Sequence, residues 1–167
     1  MAMSIWYYAN VTAHVLAAML WLGGMLFLGV VGAPVLRAVE PPALRQELFH
    51  RIGLRFRTIG WWAIAVLLLT GVINLRFRGW LGSGEVLTSG AFWRSIPGHA
   101  LMVKLTAVGA MLVVSAVHDF AVGPSAARES AGSPRAVQLR RRAALLARIN
   151  ALLGVVVVVA AVRLARG

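Results

Sequence analysis

Four apolar runs, separated by arginine-rich or glycine-rich connections, organise this chain. Positions 1–36 contain no Asp, Glu, Lys or Arg, and neither do Thr58–Leu75, Leu105–His118 or Ile149–Val162. With its flanks, each run approaches the roughly 20 residues a helix needs to cross hydrocarbon. Backbone N–H and C=O groups find no water there, so each span is predicted to be a helix. The expected spans are about 5–31, 58–75, 99–120 and 145–164. The last reaches full length only by including Ala143–Arg148.

The connections have patterns of their own. In Pro41–Arg57, Leu44, Leu48, Ile52 and Phe56 recur every four residues, with Arg45, Arg51 and Arg55 set among them. Pro41 and Pro42 suit a helix start, so a separate amphipathic helix on the membrane surface is predicted between spans one and two. Pro34 is expected to end span one, and Gly123-Pro124 to end span three. Ala126–Arg142, with Gly132-Ser133-Pro134, reads as a flexible turn. The connection 76–98 carries glycines at 79, 82, 84, 90 and 98 together with Trp80, Phe92 and Trp93, an interfacial loop suited to capping the bundle. Ala9, Ala13 and Ala17 form a stripe of small residues that continues near Gly24 and favours close helix packing. Trp6, Tyr7 and Tyr8 suit a membrane interface. No sequence repeat is apparent. The fold class is all-α: an integral membrane four-helix bundle with an interfacial amphipathic helix, read as a single membrane domain over 1–167.

Composition agrees with a membrane protein. Of 167 residues, 60% are hydrophobic and 13% charged, and mean hydropathy is +0.80. The net charge of +12 does not point to nucleic acid, because the arginines lie in connections rather than along one groove. Arg37, Arg45, Arg51, Arg55 and Arg57 follow span one, while Arg128, Arg135, Arg140, Arg141, Arg142 and Arg148 precede span four. The other side holds Arg76, Arg78, Arg94, Arg163 and Arg166. This bias predicts a multi-pass protein of a bacterial inner membrane with both termini periplasmic. No Lys or Arg precedes the first span, so the basic n-region of a cleavable signal peptide is missing. The expected partner is the lipid bilayer, with a larger membrane complex or a second copy as further candidates. Without cysteine, disulfides, thiolate metal sites and CxxC chemistry are excluded.

Candidate chemistry rests on few residues. Lys104 is the only lysine and the only full charge inside span three. A charge in hydrocarbon costs about 2.5–3.5 kcal/mol on insertion scales, which favours an interior, wet or anion-paired position over lipid. Met111 and His118 follow at seven-residue steps on the same helical face. His14 lies in an uncharged run at about the depth of Lys104, with Asn74 in the same layer. Its bland role is a neutral imidazole hydrogen-bonded across helices, and its functional role is ligation of a metal or haem. For Lys104 the alternatives are snorkelling to headgroups and countering an anionic group such as a haem propionate. Copper(I) prefers thioether and imidazole ligands, and the candidates are Met1, Met3, His14, Met19, Met25, Met102 and Met111, with His118 as a further metal ligand. Asp119 and Arg148 are expected to form a structural ion pair, with His118 in the same polar network. His50 is expected to be a solvated residue of the surface helix. Hydrolysis or group transfer would require a nucleophile–base pair or paired carboxylates. Only Asp119 among the five acidic residues lies near a span.

These residues bear a family resemblance. His14 with Trp21-x-Gly23-Gly24, Arg55-Phe56-Arg57 leading into Thr70-Gly71-x-x-Asn74, and Gly98-x-x-Leu101-x-x-Lys104-Leu105 resemble the CopD-type copper resistance family. His118-Asp119-Phe120-x-x-Gly123-Pro124 and Arg148-x-Asn150 are similar to its small stand-alone members. The resemblance implies a four-helix membrane domain for copper uptake, delivery or homeostasis, with a site around His14, Trp21, Asn74 and Lys104. The chain also resembles the HemJ-like protoporphyrinogen oxidases, four-helix haem proteins in which His14 would match the haem ligand and Lys104 an essential lysine. The Thr-Gly-x-x-Asn and His-Asp-Phe-x-x-Gly-Pro elements fit CopD better. Copper ion or haem b is thus the implied bound species. An accessory subunit of a larger respiratory or transport complex is the remaining alternative.

Overall fold

A computed structural model describes residues 5–82, 85–130 and 132–166; Met1, Met3 and Gly84, singled out above, lie outside them. Among the described residues the chain is helical, with no strand. Helix α1 spans Ile5–Phe27, passes through a π-helical turn at Leu28–Gly32, and continues as α2, Ala33–Arg37. The long α3 spans Pro42–Phe77. Two short helices, α4 (Glu85–Thr88) and α5 (Gly90–Arg94), occupy the glycine-rich connection. Helix α6 (Ile96–Ala116) then runs through a second π turn, Val117–Val122, into α7, Gly123–Arg128. Helix α8 closes the chain at Pro134–Arg166. Among the described residues, four continuous stretches are long and apolar enough to cross a membrane: Ile5–Arg37, Pro42–Phe77, Ile96–Arg128 and Pro134–Arg166.

Four expectations about boundaries are corrected. Pro34 does not end the first span, and Gly123-Pro124 does not end the third; the helical path continues past both. A proline inside a helix crowds the carbonyl four residues back and donates no hydrogen bond. Each π turn lies immediately before its proline's helix, where the wider i→i+5 winding loosens the ladder that the ring would otherwise break. The amphipathic segment is also not a separate surface helix, because it forms the first turns of α3. No glycine or proline interrupts the frame at Arg57-Thr58, so propagating the helix costs less than nucleating another. Much of the flexible turn predicted at 126–142 belongs to α7 and α8.

The two halves of the chain repeat one design that is not evident in the sequence. A helix of 23 residues, a π turn of 5, a helix of 5 and a helix of 36 are followed by a helix of 21, a π turn of 6, a helix of 6 and a helix of 33. Counted back from Pro34 and Pro124, His14 and Lys104 are equivalent, as are the buried Ala17 and Ala107, and so are Met25 and Ser115. Helices α1 and α3 form one antiparallel hairpin, and α6 and α8 the other.

Packing is inverted relative to a water-soluble bundle. Buried positions are mostly small: Ala17, Gly60, Ala63, Gly98, Ala100, Ala107, Gly154 and Ala160. Large apolar side chains such as Leu16, Trp62, Leu69, Val113 and Leu152 point outward. Lipid tails are as apolar as leucine, so burying a large side chain gains little and close backbone approach gains more. Gly24 meets the Phe56 ring, Gly60 meets the Trp21 indole, and Gly154 meets Leu22. The connection between hairpins packs Trp80, Phe92 and Trp93 over Ala100, Leu101 and Leu164, capping one end as expected. Ring centroids there are 5.1 Å apart for Trp80–Phe92 and 5.3 Å for Phe92–Trp93.

Candidate functional site

Polar side chains enter the bundle in three layers. The first lies toward the end that holds the start of α1 and the end of α3. The Asn10 amide donates to the Thr70 carbonyl at 3.1 Å and to Asn74 Oδ1 at 2.9 Å. The Thr70 hydroxyl donates to the Val66 carbonyl at 2.6 Å. Having spent its only proton there, Thr70 Oγ1 acts as acceptor toward His14 Nδ1 at 2.7 Å. In that arrangement the neutral His14 ring carries its proton on Nδ1 and its lone pair on Nε2. This is how a ligating imidazole is held: one nitrogen is anchored and the other left open.

Lys104, half-buried on α6, makes no hydrogen bond or ion pair among the described residues. It sits within electrostatic reach of His14 and of Arg78. Arg78 is fixed in turn by donating to the Leu164 carbonyl at 3.0 Å and by lying over Trp80, 5.2 Å from its ring centroid. Trp21 lies two turns from His14 and packs on Gly60. Asn74 belongs to the hydrogen-bonded layer; Trp21 lies apart from it, beside Gly60.

The second layer is neutral and more deeply buried. Asn150 of α8, 5% exposed, donates from Nδ2 to Ser115 Oγ at 2.8 Å and lies 3.8 Å from Met25 Sδ. Its Oδ1 is buried without a partner. An unmet buried acceptor costs about 1–3 kcal/mol, so this atom stands out in a small core. Met111, 3% exposed, lies one turn before Ser115 on the same face of α6.

The third layer ties the hairpins together at the arginine-rich end. The Trp61 indole donates to Asp119 Oδ2 at 3.0 Å, and His118 Nδ1 lies 2.8 Å from Oδ1. Arg57 donates to the Asp119 carbonyl at 3.3 Å and lies over the Phe120 ring. The expected Asp119–Arg148 ion pair does not form; Arg148 is exposed. The π turn at Val117–Val122 breaks the helical register that would have aimed Asp119 at α8 and delivers it to α3 instead. Of the Lys104–Met111–His118 stripe, Met111 is buried one turn before Ser115, while His118 lies within the π turn and bonds to Asp119. His118 is in the network expected for it; the partner of that network is different.

Among the described residues, no group of three or more His, Asp or Glu side chains is placed to share a metal ion. Of the thioethers, Met19 is 65% exposed and Met102 45% exposed, toward lipid, while Met25 and Met111 face the interior. His50 is exposed, as expected for a solvated residue. Asn10, Thr70, Ser115 and Trp61 were not among the sequence candidates. Asn10 had a detectable signal, lying one turn before His14 on the same face. Ser115 and Asn150 had another, as isolated polar residues in valine-rich runs.

Four membrane-crossing helices in two antiparallel hairpins, with polar layers inside an apolar shell, define a multi-pass helical membrane protein. The chain belongs to the CopD family: the family model, described as copper resistance protein D, matches residues 50–164. That match includes Thr70, Asn74, Lys104, Met111, Ser115 and Asn150, while Asn10, His14, Trp21 and Met25 lie before it. A relative from Aquifex aeolicus (strain VF5), described as an uncharacterized protein, is 34% identical over 114 residues, covering 68% of each chain. No solved structure matches. The protein is accordingly a copper resistance-related membrane protein.

Proposed function

We propose that the protein binds copper(I) within the bilayer and transfers it across or along the membrane for copper uptake, delivery or homeostasis. The observation that carries this reading is the contact of His14 Nδ1 with the Thr70 hydroxyl across two helices. With Nδ1–H held by Thr70, Nε2 is the nitrogen left to ligate, and imidazole is a competent copper(I) ligand. Family membership supports copper as the cargo.

Lys104 then acts through charge and is not a ligand. With its amine protonated, it opposes a cation at His14, which weakens binding and favours release. Transfer needs a site favourable enough to enter and weak enough to leave. The arginine bias supports an inner-membrane orientation with the His14 layer toward the periplasm, the side from which copper arrives in uptake.

The test is anaerobic copper(I) titration of the detergent-purified protein against a chromophoric copper(I) chelator, with an absorption spectrum of the same sample. The expected result is bound copper, lost in His14→Ala, and no Soret band. A Soret band that disappears in His14→Ala would replace the copper reading by the haem alternative. A folded, colourless protein that binds no copper would refute both.

A further inference from the structure

We propose that Met25, Met111, Ser115 and Asn150 form a second copper(I) site in the centre of the bundle, where equivalent positions of the two hairpins meet. This inference rests on the copper reading above and goes beyond it. The His14 layer holds one imidazole beside a cation. The central layer holds no charge, and its donors are soft or neutral.

Three observations converge on it. First, Asn150 Oδ1 is buried and unpartnered, although Asn150 is the most deeply placed amide in the bundle. Reversing the amide would let Oδ1 accept from Ser115, but would leave Nδ2 unpartnered, so either orientation leaves one polar atom unmet. An acceptor aimed into a core without a donor suits an occupant that brings positive charge. Second, Met25 Sδ from α1 lies 3.8 Å from the Nδ2 of the same amide, and the buried Met111 shares the α6 face of Ser115. Thioether sulfur selects copper(I) over harder cations. Third, Met25 and Ser115 are equivalent positions of the repeat, each nine residues before its proline, and both converge on Asn150. The leading helix of each hairpin therefore contributes to the site, Met25 from α1 and Met111 with Ser115 from α6.

Position adds a use. Met25 lies eleven residues below His14 on α1, about 16 Å along the helix axis. Two sites at that separation cover much of a hydrocarbon core about 30 Å thick. The ion would pass from a charged, weakly holding layer to a neutral one, remaining copper(I) throughout.

The full-length protein in detergent tests this by anaerobic copper(I) titration combined with copper K-edge X-ray absorption. Wild type is expected to bind two copper(I) ions with a Cu–S contribution. Met25→Leu should bind one ion with Cu–S scattering reduced, and His14→Ala should bind one ion with that scattering retained. Met111→Leu and Asn150→Leu should each weaken the central ion at least tenfold. If Asn150→Leu fails to fold, Met25→Leu decides, because it preserves volume. A wild type that binds one ion, lost in His14→Ala and unchanged in Met25→Leu, overturns the central site and leaves the proposed function standing. A wild type that binds none overturns both.

Discussion

Thr70→Val isolates the contact that holds His14. Valine replaces the hydroxyl by a methyl group of nearly equal volume, so no cavity opens and α3 keeps its β-branched shape. Two hydrogen bonds are lost: from the Thr70 hydroxyl to Val66 at 2.6 Å, and from His14 Nδ1–H to Thr70 at 2.7 Å. The first is local, since the Val66 carbonyl keeps its helical partner. The second crosses helices, and such bonds inside membranes average about 0.6 kcal/mol with a maximum near 1.7. Unfolding stability in detergent should therefore fall by about 0.6–1.7 kcal/mol. Copper(I) affinity should fall further than stability suggests, by about 10- to 100-fold, as for other residues that orient a metal-ligating histidine. Thr70→Ser retains an oxygen at the same point and should restore wild-type affinity. The assay is chelator competition for copper(I) on the three proteins, with thermal unfolding in parallel. If Thr70→Val binds copper as tightly as wild type while losing stability, the hydroxyl is only a structural tie and the tautomer argument fails.

Lys104→Leu, which adds no ligand, should bind copper(I) more tightly, by roughly fivefold for a screened repulsion of about 1 kcal/mol; weaker binding in the same titration would show that Lys104 helps to hold the ion. At the inner layer, Asp119→Ala should destabilise by about 1.5–3 kcal/mol, the range for hydrogen bonds to a charged group. Arg148→Ala should stay within about 0.5 kcal/mol of wild type in the same unfolding experiment; equal losses would restore the Asp119–Arg148 pair. Gly98→Ala should cost about 1–3 kcal/mol, because its Cβ would collide with the backbone of Phe92, which cannot step aside as a side chain can. Gly60→Ala should be within about 0.5 kcal/mol of wild type, since its nearest contact is Trp21 at 3.5 Å. Thermal unfolding of this pair checks both.

Reading the chain without its fold gave the class and the spans, because hydrocarbon solvent imposes a long, easily seen apolar signal. It also gave His14, Lys104, Asn74, Met25 and Met111 as polar or soft positions that an apolar helix does not need. The partners were less legible. Asn150 and Ser115 are 35 residues apart, and Asn150 and Met25 are 125 apart. Nothing in local periodicity relates such positions. The Asp119–Arg148 expectation failed for a similar reason: it assumed uninterrupted α-helical register, which the π turn at Val117–Val122 resets.

The sequence by itself determined four helices in lipid, an arginine-rich end and a short list of candidate groups, since each follows from local composition and the solvent it must face. The tertiary structure alone set the repeat of the halves, the contact of Thr70 with His14 Nδ1, and the meeting of Met25 and Ser115 at the Nδ2 of Asn150, whose Oδ1 is left unpaired. Those facts depend on how helices pair and rotate, and rotation about a helix axis is set by packing at small residues and by the two π turns.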